Sequence, residues 1–81
     1  MEIGIREIIE RFKIKAESFL KNNTKVFLKD IFDNIHFCYI KTLFSDWIII
    51  QDFEGKRKYE ITRIYWPDIK LMEEYKERED K

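Results

Sequence analysis

Apolar residues recur at intervals of three and four at the start of the chain. Ile5, Ile8, Ile9, Phe12, Ala16, Phe19 and Leu20 share one side of a helix, while Arg6, Glu7, Glu10, Arg11, Lys13 and Glu17 cover the other. The spacing predicts a helix over about residues 3–21. Glu7 with Arg11 and Glu17 with Lys21 stand four apart in the favourable order, each pair worth roughly 0.2–0.5 kcal/mol. Asn22 and Asn23 end the helix, since asparagine tolerates the left-handed conformation found after a last turn. Such a stripe can lie on lipid or in a partner's groove. Because its polar side mixes both charges, packing against the chain's own sheet is the expectation.

From Thr24 the period drops to two. Val26 and Leu28 alternate with Lys25 and Lys29, which predicts a strand reaching Asp30 or Ile31. Asp33-Asn34 and Ser45-Asp46 are turn pairs, and Glu54-Gly55 supplies a third turn with a glycine free to take positive φ. Between them lie strands over residues 35–44 and 47–53, and a fourth follows over 57–65. Neither face of the 35–44 strand is cleanly polar, as expected of a strand that is bent or covered on both sides. In the fourth, Tyr59 and Ile61 alternate with Lys58, Glu60 and Thr62, and the alternation slips at Arg63-Ile64, where a bulge is expected. Pro67 interrupts the ladder, and Ile69 and Leu71 suit a last short strand. One domain over residues 1–75 and a charged, disordered tail over 76–81 are predicted.

Charge narrows the function. Sixteen basic and sixteen acidic residues give a formal net charge of zero, without the overall basic excess of proteins that grip nucleic acid mainly through phosphates. The single cysteine, Cys38, has no internal partner, and the longest apolar run, Trp47 to Ile50, is too short to cross a membrane. A reduced cytoplasmic setting is expected.

Few constellations carry chemistry. His36 and Cys38 share a strand face and are both metal-ligand types, but Asp30 or Asp33 would have to complete a site, so no metal and no cofactor are expected. Asp52, Glu54 and Lys56 echo the carboxylate–lysine spacing of metal-dependent nucleases, yet at a hairpin tip they read as a solvated turn. No enzyme is predicted. Lys56, Arg57 and Lys58 are flanked by Phe53 and Tyr59, an interleaving of cations and rings that can hold single-stranded nucleic acid.

The order of an amphipathic helix and five short strands resembles the Sm-like family, which includes bacterial Hfq and archaeal Lsm proteins. The resemblance rests on Lys25 to Asp30 for the first strand, Phe37 to Phe44 for the long bent second, Trp47 to Ile50 for the third, and the turn at Ile64 to Ile69. Tyr39 stands where the family usually has glycine, Ser45-Asp46-Trp47 lacks the family's Asn, and Trp66-Pro67 replaces its Arg-Gly pair. The resemblance implies a mainly β fold with an N-terminal helix, its five antiparallel strands bent into a small barrel. It also implies a homo-oligomer in which the last strand pairs with the fourth strand of the next subunit. Interface residues would then be Tyr59, Ile61, Ile69 and Leu71, and RNA or single-stranded nucleic acid would meet Asp46, Lys56, Arg57, Lys58, Tyr65 and Trp66. The alternative is an SH3-like protein-interaction domain, in which the same rings form a peptide groove.

Overall fold

The computed structural model describes residues 4–76, and the predicted tail from 77 onward lies outside them. Helix α1, Ile5–Lys21, carries Glu7 in its first turn and Lys21 in its last, each at the end where its charge complements the helix dipole. The predicted stop holds: Asn23 takes φ 50°, and the Thr24 N–H donates to the Phe19 carbonyl at 2.9 Å. Ala16 is fully buried, with Ile9, Phe12 and Phe19 packed around the same core. Lys15 adds a tether, its Nζ donating to the Met72 carbonyl at 3.3 Å.

Five antiparallel strands follow: β1 Lys25–Asp30, β2 Ile35–Leu43, β3 Trp47–Asp52, β4 Ile61–Tyr65 and β5 Ile69–Glu74. They form one sheet in the order β4-β3-β2-β1-β5. Alternate residues of β1, β2 and β3 enter the core, while β5 buries Ile69 and Met72 three apart across the irregularity opposite Lys29–Asp30; the core joins Val26, Leu28, Cys38, Ile40, Ile48, Ile50 and Ile64 to Trp66, Ile69, Met72 and Ala16. The Cys38 thiol is free and buried, and burial pushes its pKa far up, with the nearby Asp52 charge adding to the effect. No described helix is long and apolar enough to cross a membrane.

The connection between β4 and β5 shows how strongly the sheet curls. Four strand spacings of about 4.8 Å would hold these edge strands roughly 19 Å apart in a flat sheet. Only the single 3₁₀ turn Trp66–Asp68 joins them, and at about 2 Å rise per residue it spans far less. The sheet therefore bends until the end of β4 and the start of β5 are neighbours. No ladder joins the two strands, so the sheet stays open where a closed barrel was the expectation.

Two irregularities assist the bend, one between Ile40 and Thr42 where β2 pairs with β3 and one at Lys29–Asp30 where β1 pairs with β5. The bulge expected at Arg63-Ile64 is not formed, because β4 runs in unbroken register from Gln51↔Ile61 to Trp47↔Tyr65. The slip in the pattern came from Ile61, an isoleucine that points outward and is 66% exposed. The fourth strand is also shorter than predicted. Residues 56–59 form a turn, and Tyr59 adopts φ 69° instead of extending the ladder.

Candidate nucleic-acid interface

Rings and cations meet along β4. Tyr65 pairs with Trp47 in the register, so both side chains lie on the same outward face. Their rings stand 5.7 Å apart at 72°, and Phe44 extends the group to Trp47 at 5.4 Å. Arg63, two residues before Tyr65 and on the same face, holds its guanidinium 5.1 Å from the Trp47 centroid and 5.5 Å from that of Tyr65. Arg63 was not among the predicted site residues. Its signal was the Arg-x-Tyr spacing, which puts cation and ring on one strand face.

The predicted residues divide between the two ends of this strand. At one end Asp46, Tyr65 and Trp66 come together: the Trp66 backbone N–H donates to the Asp46 carbonyl at 3.2 Å, and the indole Nε1–H donates to the Phe44 carbonyl at 2.9 Å. They border a cleft of about 550 Å³ that Lys13, Pro67 and Asp68 also line. Trp66 is only 2% exposed, so its ring secures the corner while Tyr65 faces solvent. Lys13 adds charge here, with Nζ 5.8 Å from the Trp66 ring.

At the other end, roughly 14 Å along the strand at about 3.4 Å per residue, the three basic residues do not act alike. Lys56 and Lys58 are exposed, Lys58 lying 5.2 Å from the Tyr59 ring. Arg57 turns inward: Nη2 donates to Asn34 Oδ1 and Nη1 faces His36 Nε2, both at 3.3 Å. A guanidinium can only donate, so His36 Nε2 accepts and the ring proton sits on Nδ1. That Nδ1–H points at Asp52, 3.2 and 3.3 Å from the two carboxylate oxygens. His36 is 1% exposed and Asp52 2%. Burial raises the Asp52 pKa and prevails over the lowering effect of His36 and Arg57.

The chain of contacts continues into the turn between β1 and β2. Asp30 Oδ1 accepts the Phe32 and Asn34 backbone N–H groups at 2.9 Å each, and Oδ2 accepts Asn34 Nδ2 at 3.1 Å. Burial alone would raise the Asp30 pKa. The bonds from Asn34 and Phe32, with His36 nearby, outweigh it and hold the carboxyl below its ordinary value. Asp52, half of the nuclease-like spacing, is thus a structural partner, and Glu54 accepts from the Tyr75 hydroxyl at 3.5 Å. Both ring nitrogens of His36 are engaged, and no group of three or more metal-ligating side chains occurs among the described residues.

Of the four residues assigned to an interface, Tyr59 and Ile61 are 69% and 66% exposed beside the outer edge of β4. Leu71 on β5 is half-buried. Ile69, at 5% exposure, belongs to the core of the chain itself. No family model matches the chain, and comparison with curated proteins and with solved structures gave no significant match.

Proposed function

We propose that this is a non-enzymatic, self-associating small β-protein of Sm-like type that binds RNA or single-stranded nucleic acid in the cytoplasm. The observation that carries the ligand is Arg63 over both Trp47 and Tyr65 on an outward strand face. Single strands are held by cations that track phosphates and by rings on which bases stack, without an overall basic charge being needed. Lys56 and Lys58 extend the strip at the far end of β4, and Lys13 supplies charge at the near end. Self-association is supported by the open sheet, in which β4 and β5 are edge strands that pair with no further strand among the described residues.

Titration of labelled U-rich and mixed-sequence RNA at near-physiological salt tests the ligand. Binding is expected at micromolar protein, and Arg63→Ala should weaken it by roughly tenfold, the scale of one lost stacking contact. Absence of binding by the wild type at tens of micromolar would sink the proposal. The inward turn of Arg57 removes one predicted phosphate contact and favours the second reading, an SH3-like protein-interaction domain. Light scattering separates the two, a ring-sized mass supporting the first and a monomer the second.

A further inference from the structure

A buried histidine holds the hairpin at residues 53–60 by a contact that depends on a proton. His36 stands near the start of β2, opposite the apolar Leu28 of β1, and is 1% exposed. Its two ring nitrogens meet groups of opposite charge: Nδ1 faces the Asp52 carboxylate at the end of β3, and Nε2 faces Arg57 Nη1 at 3.3 Å. A guanidinium offers no lone pair and does not lose its protons in a protein. The Arg57 contact therefore exists only while Nε2 carries no proton. Histidine is the side chain whose charge ordinarily changes between about pH 5 and 8.

The surroundings decide which partner yields. Asp52 is fixed in β3 and 2% exposed, and its bond to Nδ1 strengthens when the ring is charged. Asp30 on β1 also interacts favourably with a charged His36, and Glu60 adds negative charge near Asp52. Cys38, on the same face of β2, is held protonated by burial. Of these groups only Arg57 opposes an added proton, and it is also the one placed to move. It sits in a turn, half-buried, on a cleft of about 280 Å³ that the exposed Glu54 and Lys56 also line. The turn is closed by its own backbone, Lys58 N–H donating to the Gly55 carbonyl at 3.2 Å and Glu60 N–H to the Arg57 carbonyl at 2.8 Å. The side chain can thus leave without opening the ladder.

We propose that His36 is a proton-operated latch on this hairpin. When a proton from solvent enters Nε2, the bond from Nη1–H is lost, two positive donors face each other, and the Arg57 side chain swings outward while His36 stays on Asp52. The release places a third cation beside the exposed Lys56 and Lys58. That consequence rests on the nucleic-acid reading above, whereas the latch itself does not.

The test is NMR of the full-length ¹⁵N,¹³C-labelled chain between about pH 8 and pH 5, first without RNA. The His36 ring signals and the Arg57 side-chain signals are expected to change with one midpoint, and the Lys56, Arg57 and Lys58 amides to follow, while those of Ile48 and Ile50 hold still. In His36→Gln, which offers Arg57 an acceptor but takes up no proton, the hairpin should stay in its high-pH state. In Asp52→Asn the hairpin transition should persist, which separates the ring from the neighbouring carboxylate; circular dichroism checks that both variants fold. Arg57→Met leaves the ring in place, and its His36 should take up a proton at higher pH than in the wild type, since coupling between two sites is reciprocal. The latch is overturned if the ring takes up no proton before the chain unfolds, if the hairpin stays still while the ring titrates, or if His36→Gln shows the same transition. With labelled U-rich RNA, the fall of log K with log salt should steepen by about 0.7 at the lower pH, the amount for one further phosphate on a single strand, and not in His36→Gln. An unchanged slope beside a released Arg57 would overturn its part in binding. Failure of RNA to bind at any pH would remove the nucleic-acid reading, with the latch still judged by the ring and hairpin signals.

Discussion

At His36, one neighbour decides the hydrogen-bond roles. Because Arg57 can only donate, it is the Nδ1 side of the His36 ring that meets Asp52, and the bonds from Arg57 to His36 and Asn34 fasten the hairpin after β3 to the turn after β1. Arg57→Met keeps a long apolar stem but leaves His36 Nε2 and Asn34 Oδ1 without that donor. An unpaired buried group costs about 1–3 kcal/mol, and urea denaturation should show a loss of that order with an unchanged slope. The two aspartates give opposite pH dependences. The Asp52 pKa lies above the ordinary value of 3.8, so as pH falls through its own pKa toward 3.8 the folded state takes up a proton in preference and stability rises. Asp30 lies below 3.8, so its contribution is complete above 3.8 and is lost as pH falls through its own lower pKa. Denaturation curves across this range should therefore lose the rise in Asp52→Asn and the acid-side fall in Asp30→Asn. A wild-type-like profile in either variant would remove that aspartate from the explanation. This network was invisible in the chain, since His36, Asp52 and Arg57 are brought together only by the pairing of β2 with β3 and by the hairpin's inward turn.

At the level of elements, the legible features were those with a local cause. The stripe of α1, the left-handed Asn23, Asp33 and Gly55 and the first three strands follow from residue type and spacing. The hairpin before β4 does not. Tyrosine favours strands, so Tyr59 reads as part of the ladder. In fact its N–H closes onto the Asp52 carbonyl at 2.7 Å, and the geometry forces positive φ. A non-glycine residue pays roughly 1 kcal/mol or more for that conformation. Asparagine bears it more easily, and at 69% exposure the tyrosine ring gives up little burial. Tyr59→Asn is therefore expected to stabilise the fold, raising the midpoint of thermal unfolding by a few degrees for about 1 kcal/mol in a domain this small. A lowered midpoint would mean that the ring, with Lys58 beside it, contributes more than the strain removes.

At the scale of the whole molecule, the open curl is the feature on which the proposed self-association rests. The short corner at Trp66–Asp68 fixes β4 and β5 close together at one end yet leaves them unpaired. A second subunit could add its β5 to this β4 and repeat the operation, and the angle between the edges sets whether the series closes into a ring. Ile61 is the residue on which to test this. It lies on the edge strand, it is 66% exposed, and its partner in the register, Gln51, is on the inner side of the edge. Replacing an exposed residue usually changes stability by no more than about 0.5 kcal/mol, whereas a lysine at a strand edge is a device by which natural sheets prevent edge-to-edge pairing. Ile61→Lys should thus unfold at nearly the wild-type urea concentration while its mass by light scattering falls to that of the 10.1 kDa chain. If the mass of the variant equals that of a multimeric wild type, the subunits associate through another surface.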